Sequence, residues 1–434
     1  MTRPQTAILH YTAPPVVGGV EGVIDAHVQA FVEAGYPVTV IAGRGDLEAL
    51  PAEAEFLRIP KMDSRHPEVA KVSSQLRGGE VPPAFHELAD QLRGTLASAL
   101  RRFDNVIVHN VFTKRFNLPL TAALCSWLDA GVVGNCVAWC HDVGWTSDHS
   151  RPNLHPGYPW DLLRTHHRDV TYVAVSRQRQ RALAELFNCS PEEIRVVYNG
   201  VDPALLLGLT DEGYGLVDRL DLLGADVVLL MPVRVTRAKN IELALRVVAA
   251  LKAQGSSVKL VLTGPPDPHD RESMAYFRRL QATRGELGVE DEMRFVFESG
   301  SDPDAGFTVE MPIVADLFRV SDVVFMPSHR EGFGMPVLEA GLVGVPVVCT
   351  AVPAAHEIGG HDVTVVDSKS DPARIAQRIV SLLEQSPVHR LRRRVRQRYS
   401  WQAIFHRDIE PLLRGAANTR DVSAGTSLPI ESQA

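Results

Sequence analysis

Short uninterrupted runs of apolar residues, rich in β-branched side chains, recur along the chain: "TAILHY" from Thr6, "VTVIAG" from Val38, "NVIVHN" from Asn105, "NCVAWCHD" from Asn135 and "VTYVAVS" from Val170. A strand with one wet face alternates polar and apolar residues, whereas continuous runs this short mark strands buried on both faces. Between several of them apolar residues return at helical spacing, as Val20, Val23, Ile24, Val28, Phe31 and Val32 do, with Gly35 where a helix would end. A second series then begins: "DVVLLMPV" from Asp226, "VKLVLTG" from Val258, "RFVFES" from Arg294, "DVVFMPS" from Asp322, "VPVVCT" from Val345 and "VTVVD" from Val363, with a helical stretch over Ile241 to Ala253. Strands alternating with helices predict parallel sheets covered by helices, and two such series predict two Rossmann-like, doubly wound α/β domains.

Turn residues accumulate in "NGVDPALLLGLTDEGYG", residues 199–215, which sets the expected boundary between a first domain over 1–204 and a second over 205–398. The segment 399–414, with "YSWQAIFHRDIEPLL", reads as one more amphipathic helix whose aromatic face would pack back on the first domain. From Gly415 onward the residues are small, polar and unpatterned, so 415–434 is expected to be a disordered tail.

A chain of 434 residues has length for two large cores, and 45% hydrophobic with 22% charged residues excludes a mostly disordered or collagen-like protein. The net charge of -7 argues against nucleic acid as a partner. The five cysteines, Cys125, Cys136, Cys140, Cys189 and Cys349, form no CxxC pair and lie in or beside apolar runs, so buried thiols in a reducing cytoplasm are expected. "MTRPQTAILHY" holds no apolar stretch of signal-peptide length, and nowhere do about 18 apolar residues follow one another. Arg390, Arg392, Arg393, Arg394, Arg396 and Arg398 crowd one predicted helix, which reads as a solvated helix before it reads as a peripheral membrane contact.

In doubly wound sheets ligands bind beyond the carboxyl ends of the strands, so the residues after each apolar run carry the candidate chemistry. After "DVVFMPS" comes "HREGFGMPVLEAGLVGVPVV", where Glu331 lies on a Gly-Phe-Gly turn and a helix is expected to start at Pro336 with Glu339 in its first turn. Free amides at such a start bind phosphate, and a carboxylate beside them accepts hydrogen bonds from hydroxyls. "MPVRVTRAKN" puts Arg234, Arg237 and Lys239 at another strand end, the cations a departing diphosphate requires. In the first domain Gly18 and Gly19 precede a helix, while His141 and Asp142 end a strand. Lys114 and Arg115, with Asp142 and Arg151, are candidates for an acceptor side. "DPD" at Asp302 to Asp304 reads as solvated loop acids, and no metal site is expected.

The two glutamates, Glu331 and Glu339 with seven residues between them, resemble the signature of the retaining glycosyltransferases of family 4, which have the GT-B fold with two domains facing a central cleft. The likeness extends through Gly18, Gly19 and Glu21, the pair His141 and Asp142, "VAVS" ending at Ser176, "YNGVD" at 198–202, Arg234 with Lys239, and "YSW" at 399–401. It implies a hexosyl transfer from a nucleotide diphosphate sugar, of the GDP-mannose or UDP-glucose type, to a hydroxyl acceptor, with no cofactor and no metal in the chemistry. The same resemblance implies that Arg234 and Lys239 bind the diphosphate, Glu339 holds the ribose and Glu331 contacts the transferred sugar. Gly332, Phe333, Gly334, Val337 and Leu338 would line the donor, with Gly18, Gly19 and His141 approaching from the first domain. Pro232 and Val233 depart from the pattern, standing where a glycine often precedes the arginine, and the loop "FESGSDPDAGF" looks long. A phosphorylase, an epimerase and a non-catalytic sugar-nucleotide sensor remain open alternatives. A dinucleotide oxidoreductase is disfavoured, because no GxGxxG follows a predicted strand.

Overall fold

The computed structural model describes residues 3–131, 134–266, 271–300 and 306–413. The chain divides into two compact units, one running to Gly200 and resuming at Trp401, the other spanning Val201–Ser400. The segment 415–434 and Asp302 to Asp304 lie outside the described residues.

The first unit holds seven parallel strands: Thr6–Thr12 (β1), Val38–Arg44 (β2), Glu55–Arg58 (β3), Asn105–His109 (β4), Asn135–Cys140 (β5), Val170–Ala174 (β6) and Ile194–Val196 (β7), in the order β3-β2-β1-β4-β5-β6-β7. The second holds six: Val227–Met231 (β8), Val258–Leu262 (β9), Met293–Phe295 (β10), Val323–Met326 (β11), Val347–Thr350 (β12) and Thr364–Val366 (β13), in the order β10-β9-β8-β11-β12-β13. Each is doubly wound, as the sequence predicts. The chain fills one side of a central strand and then crosses to the other, which leaves a crevice at the carboxyl ends of β1 and β4 and another at those of β8 and β11.

Double coverage explains the unbroken apolar runs. Along β1, Ala7, Leu9 and Tyr11 enter one core while Ile8 enters the core on the opposite face. The sequence reading missed β3 and β7, and both are edge strands. "EFLR" alternates too weakly and is too exposed to advertise itself, and "IRV" is three residues long.

The helix Gly19–Glu33 buries Val23, Ile24, Val28 and Phe31 and is closed by Gly35 in the left-handed conformation, φ +69°. The segment after Ser400 is helical over Trp401–Ile404 and Glu410–Leu413, with a wider π turn over Phe405–Ile409 between them. Phe405 meets Phe31 and Tyr36 edge-on, with ring centroids 5.1 and 5.6 Å apart. The Tyr36 hydroxyl donates to Oε1 of Glu410 over 2.6 Å.

The arginine run is not simply solvated. In the helix Pro387–Arg398, Arg396 is buried and donates to both carboxylate oxygens of Asp322, at 3.3 and 3.0 Å, and to the Ala225 carbonyl at 2.8 Å. Arg392 donates to the Arg319 and Ser321 carbonyls, and Arg393 to Asp226. Arg390, Arg394 and Arg398 stay exposed. A helix packing against a sheet must turn one side inward, so a run of closely spaced arginines reaches both solvent and interior. Of the cysteines, Cys125, Cys136, Cys140 and Cys349 are buried, but Cys189 is only half-buried, two residues past the helix Arg177–Phe187. Burial pushes the thiols of Cys125, Cys136 and Cys140 up to about 12, which leaves them protonated and unreactive.

Asp322 also accepts the Val228 amide at 2.9 Å and lies 3.3 Å from Nδ1 of His389. Burial disfavours its ionisation, but the His389 hydrogen bond and the Arg396 charge outweigh that and hold its carboxyl below the usual range. Removing one partner of such a pair strands the other, at a cost of about 3–5 kcal/mol. Asp322→Ala is therefore expected to lower the unfolding free energy of the second unit by that amount, measured by urea titration. The folded-state pKa is depressed, so the contribution is present at neutral pH and fades as pH falls through the lowered value. The stability gap between wild type and variant should close in acid.

Candidate functional site

At the carboxyl end of β8 the backbone turns sharply. Val233 and Thr263 both donate to the Met231 carbonyl, and Gly264 donates to the Val233 carbonyl at 3.0 Å. A Cβ on Gly264 would lie 2.5 Å from that carbonyl oxygen and 2.7 Å from Cα of Arg234, so only glycine lets β9 end here. This contact carries Arg234 to the surface, where its side chain makes no hydrogen bond or ion pair among the described residues. A 3-10 turn, Arg237–Lys239, leads to Asn240, left-handed at φ 50° and ψ 52°, and then to the helix Ile241–Ala253. Arg237 is turned onto the Tyr276 ring, 5.0 Å from its centroid, and takes no part in the cluster.

Two contacts tie this loop to the one after β11. The His329 amide donates to the Ala238 carbonyl at 2.8 Å, and Nδ2 of Asn240 to the Pro327 carbonyl at 3.0 Å. They bring Lys239 within 2.6 Å of Oε2 of Glu331, whose Oε1 accepts the Ser328 hydroxyl at 2.5 Å. The Glu331 side chain is 5% exposed and that of Lys239 20%, so the pair closes the floor of the crevice while Arg234 stands at its rim.

The helix Met335–Val343 begins one residue before Pro336, behind Gly334 at φ 90°. That places Glu339 beyond the first turn rather than in it, and it has no hydrogen bond or ion pair among the described residues. The Val337 amide donates to the Gly334 carbonyl at 2.9 Å, so it is not one of the free donors the sequence suggested. Gly332, Phe333 and Leu338 are exposed, while Gly334 and Val337 are buried.

In the first unit the carboxylate of Glu21 folds back over Gly18, where a Cβ would lie 2.1 Å from Oε2, and accepts the Thr12 hydroxyl. A Cβ on Gly19 would meet nothing within 4 Å. Asn110, left-handed at φ 60° after β4, receives the amides of His141 and Asp142 on Oδ1, at 2.8 and 3.2 Å. Asp142 is held between Lys114 at 3.5 Å and Arg179 at 3.1 Å. Neither Arg115 nor Arg151 joins them: burial and then the charge of Arg77 lower the pKa of Arg115, and Arg151 is exposed on a separate 3-10 turn. His141 is half-buried, and burial, with the nearby His10, brings its pKa down to about 4 against the pull of Asp142. It is neutral at physiological pH.

Two family models match this chain, glycosyltransferase family 4 over residues 17–205 and glycosyl transferases group 1 over residues 220–399, one to each doubly wound sheet. The chain belongs to the family 4 glycosyltransferases. Two Rossmann-like sheets of this order are the GT-B fold of that family. The D-inositol 3-phosphate glycosyltransferase of Stackebrandtia nassauensis is 32% identical over 211 residues, 46% of this chain and 41% of that protein. The protein of the same name from Thermomonospora curvata is 30% identical over 277 residues, 59% of each chain. The chain thus spans about half the length of these curated relatives. A solved glycosyltransferase from Rickettsia africae is 16% identical, with 95% of this chain and 99% of that one covered and a TM-score of 0.36.

Sequence reasoning on this family 4 chain missed Gly264, Asn240, Ser328, Asn110 and Arg179. Asn110 and Asn240 carry a legible signal, since asparagine directly after a strand or turn tolerates the left-handed conformation. Gly264 and Arg179 become visible only when two strand ends meet, and Ser328 only when the loop after β11 folds back on itself. Gly264→Ala is expected to destabilise by about 1–3 kcal/mol, as overpacking does, whereas Gly19→Ala should stay within about 0.5 kcal/mol of wild type. Parallel thermal melts of the two variants check both.

Proposed function

We propose that the chain transfers a hexosyl group from a nucleotide diphosphate sugar to a hydroxyl acceptor with retention of anomeric configuration. The observation that carries this reading is the meeting of Lys239 and Glu331 between the ends of β8 and β11, beside an exposed Arg234. As the bond between the anomeric carbon and the phosphate oxygen breaks, the sugar ring becomes cationic and the diphosphate gains negative charge. Arg234 and Lys239 stabilise that charge where it develops, and this lowers the barrier directly. The acceptor oxygen attacks from the face the phosphate leaves, and its proton passes to the departing phosphate oxygen. No side chain is assigned as nucleophile or base, and no metal is assigned to the chemistry.

Glu331 binds hydroxyls of the transferred sugar in this reading, and Glu339 those of the ribose. An unpaired carboxylate about 5 Å from a phosphate charge would oppose binding by about 3 kcal/mol at an effective dielectric of about 20. Lys239 offsets that repulsion. His141 and Gly19 serve the sugar side. GDP-mannose and UDP-glucose are the donor types to try first.

For the acceptor we propose a small anionic solute or sugar, received by Lys114 and Arg179. Two similar proteins bear the name D-inositol 3-phosphate glycosyltransferase, an acceptor of that kind. Among the described residues no helix is long and apolar enough to cross a membrane. A cytoplasmic setting with no obligatory membrane contact belongs to the same proposal, as Arg392, Arg393 and Arg396 are already paired with carbonyls and carboxylates of the fold.

A ligand that binds only the folded state stabilises it by about 2.7 kcal/mol at a hundredfold excess over Kd. One nucleotide diphosphate should raise the melting temperature of the wild type, and that of Glu339→Ala and Lys239→Ala far less. Arg234→Ala should lower kcat about 100- to 1,000-fold, the scale for losing one charge-stabilising donor. No shift with any nucleotide would sink the transferase reading in favour of a repurposed scaffold. Product formed without acceptor would point to an epimerase, and dependence on inorganic phosphate to a phosphorylase.

A further inference from the structure

Four histidines gather where β1, β4 and β5 end in the first unit: His10, His27, His109 and His141. His109, the last residue of β4, and His27, on the helix Gly19–Glu33, are fully enclosed. Nδ1 of His109 lies 3.0 Å from Nε2 of His141, and the two rings stack with centroids 5.3 Å apart. Trp139 also stacks on His109, and His27 meets Trp139 and Trp401 edge-on. Nε2 of His109 and both ring nitrogens of His27 have no hydrogen-bond partner among the described residues.

Two imidazole nitrogens 3.0 Å apart share one proton, and the enclosure of His109 decides whose it is. If His141 donates from Nε2, His109 must carry its own proton on Nε2, which strands a buried N–H with no acceptor. If His109 donates from Nδ1, only a lone pair is left bare at Nε2. Orphaned buried donors are rarer than under-satisfied acceptors, so the second arrangement is preferred. A cationic ring is disfavoured for either partner. Burial, reinforced by the other histidines, holds His109 well below the usual range, and burial brings His141 to about 4.

We propose that His109 is a positioning residue, which donates from Nδ1 to Nε2 of His141 and holds that ring as the neutral tautomer with its proton on Nδ1. Nδ1 of His141 has no partner among the described residues, and the ring is only half-buried. His141 therefore offers the crevice a hydrogen-bond donor and not a base. With the transferase reading above, on which this consequence rests, an oxygen of the transferred sugar is received as an acceptor. The groups that bear on the pair are His10, which donates from Nδ1 to the His109 carbonyl at 2.9 Å, Glu21 near His10, His27, and Asp142 with its partners Lys114 and Arg179.

The test reads the tautomer without substrate, so it stands apart from any failure of the transferase reading. The full chain, labelled with 15N in its histidine rings, gives long-range 1H–15N correlations that distinguish Nδ1–H from Nε2–H, with the His141 signals assigned by their loss in His141→Asn. The expected result is a neutral Nδ1–H ring at position 141 from pH 8 to near pH 5. His109→Asn, which keeps a donor nitrogen near the place of Nδ1, should preserve it, whereas His109→Leu should shift it toward Nε2–H and lower kcat/KM about tenfold, the size of one lost hydrogen bond. An Nε2–H ring in the wild type overturns the proposal even if neither variant folds, and so does an unchanged tautomer in a folded His109→Leu.

Discussion

The second unit depends on one buried carboxylate. Asp322 sits just before β11 and takes the Val228 amide of β8 on Oδ2, while its own amide donates to the Val228 carbonyl at 2.8 Å. Those bonds fix the offset of the two strands, so that Val323 pairs with Leu229 and Val324 with Leu230. Register is not a detail here. A slip by one residue would move every side chain of β11 to the other face, and it would carry Glu331 away from Lys239. Arg396 neutralises Asp322 and at the same time docks the helix Pro387–Arg398 across the amino ends of the strands. A charge that could not be buried alone thus orders the strands whose far ends hold the candidate site.

The first unit meets the same requirement with neutral groups. At the amino ends of its central strands, Nδ2 of Asn105 donates to the Thr6 hydroxyl, and Nδ2 of Asn135 to Oδ1 of Asn105 at 2.8 Å. Asn135 also donates to the Leu412 carbonyl at 2.5 Å, so here too the polar link takes hold of a terminal helix. The two solutions differ in how they respond to conditions. An amide chain is indifferent to pH, whereas the aspartate and arginine pair weakens in acid.

What the sequence disclosed and what it hid divide along physical lines. Eleven of the strands were legible as short apolar runs, and for the central ones the run is the imprint of double burial, as in "TAILHY" and "DVVLLMPV". The edge strands Glu55–Arg58 and Ile194–Val196 were not, since Glu55, Arg58 and Arg195 cut their apolar runs short, whereas the edges Met293–Phe295 and Thr364–Val366 overlap the runs "FVF" and "VTVV". The positions of Arg234, Lys239 and Glu331 at strand ends were legible from the rhythm of the chain. The hydrogen bond from Ser328 to Glu331, the cradle at Gly264 and the clasp of Asp142 by Arg179 were not. The last two join residues whose proximity is created by strand order, and the first depends on how the loop after β11 folds, neither of which composition records. The arginine run shows the converse error, where a pattern that looked like surface proved half structural.

Both crevices present carboxylates already matched by cations, Glu331 by Lys239 and Asp142 by Lys114 and Arg179. A chain with net charge -7 that left those carboxylates bare would repel a diphosphate or an anionic acceptor at close range. Pairing removes the repulsion without removing the cation, because an ammonium has three donors and one is enough for Glu331. Lys239 could then face a phosphate with donors it has not used, and Glu331, which takes the lysine on Oε2 and the serine on Oε1, could accept a sugar hydroxyl on a remaining lone pair. Arg234, with no partner of its own among the described residues, has nothing to give up. In the proposed transfer the rim arginine would meet the incoming donor first, and the lysine beneath it would act when charge develops on the leaving group.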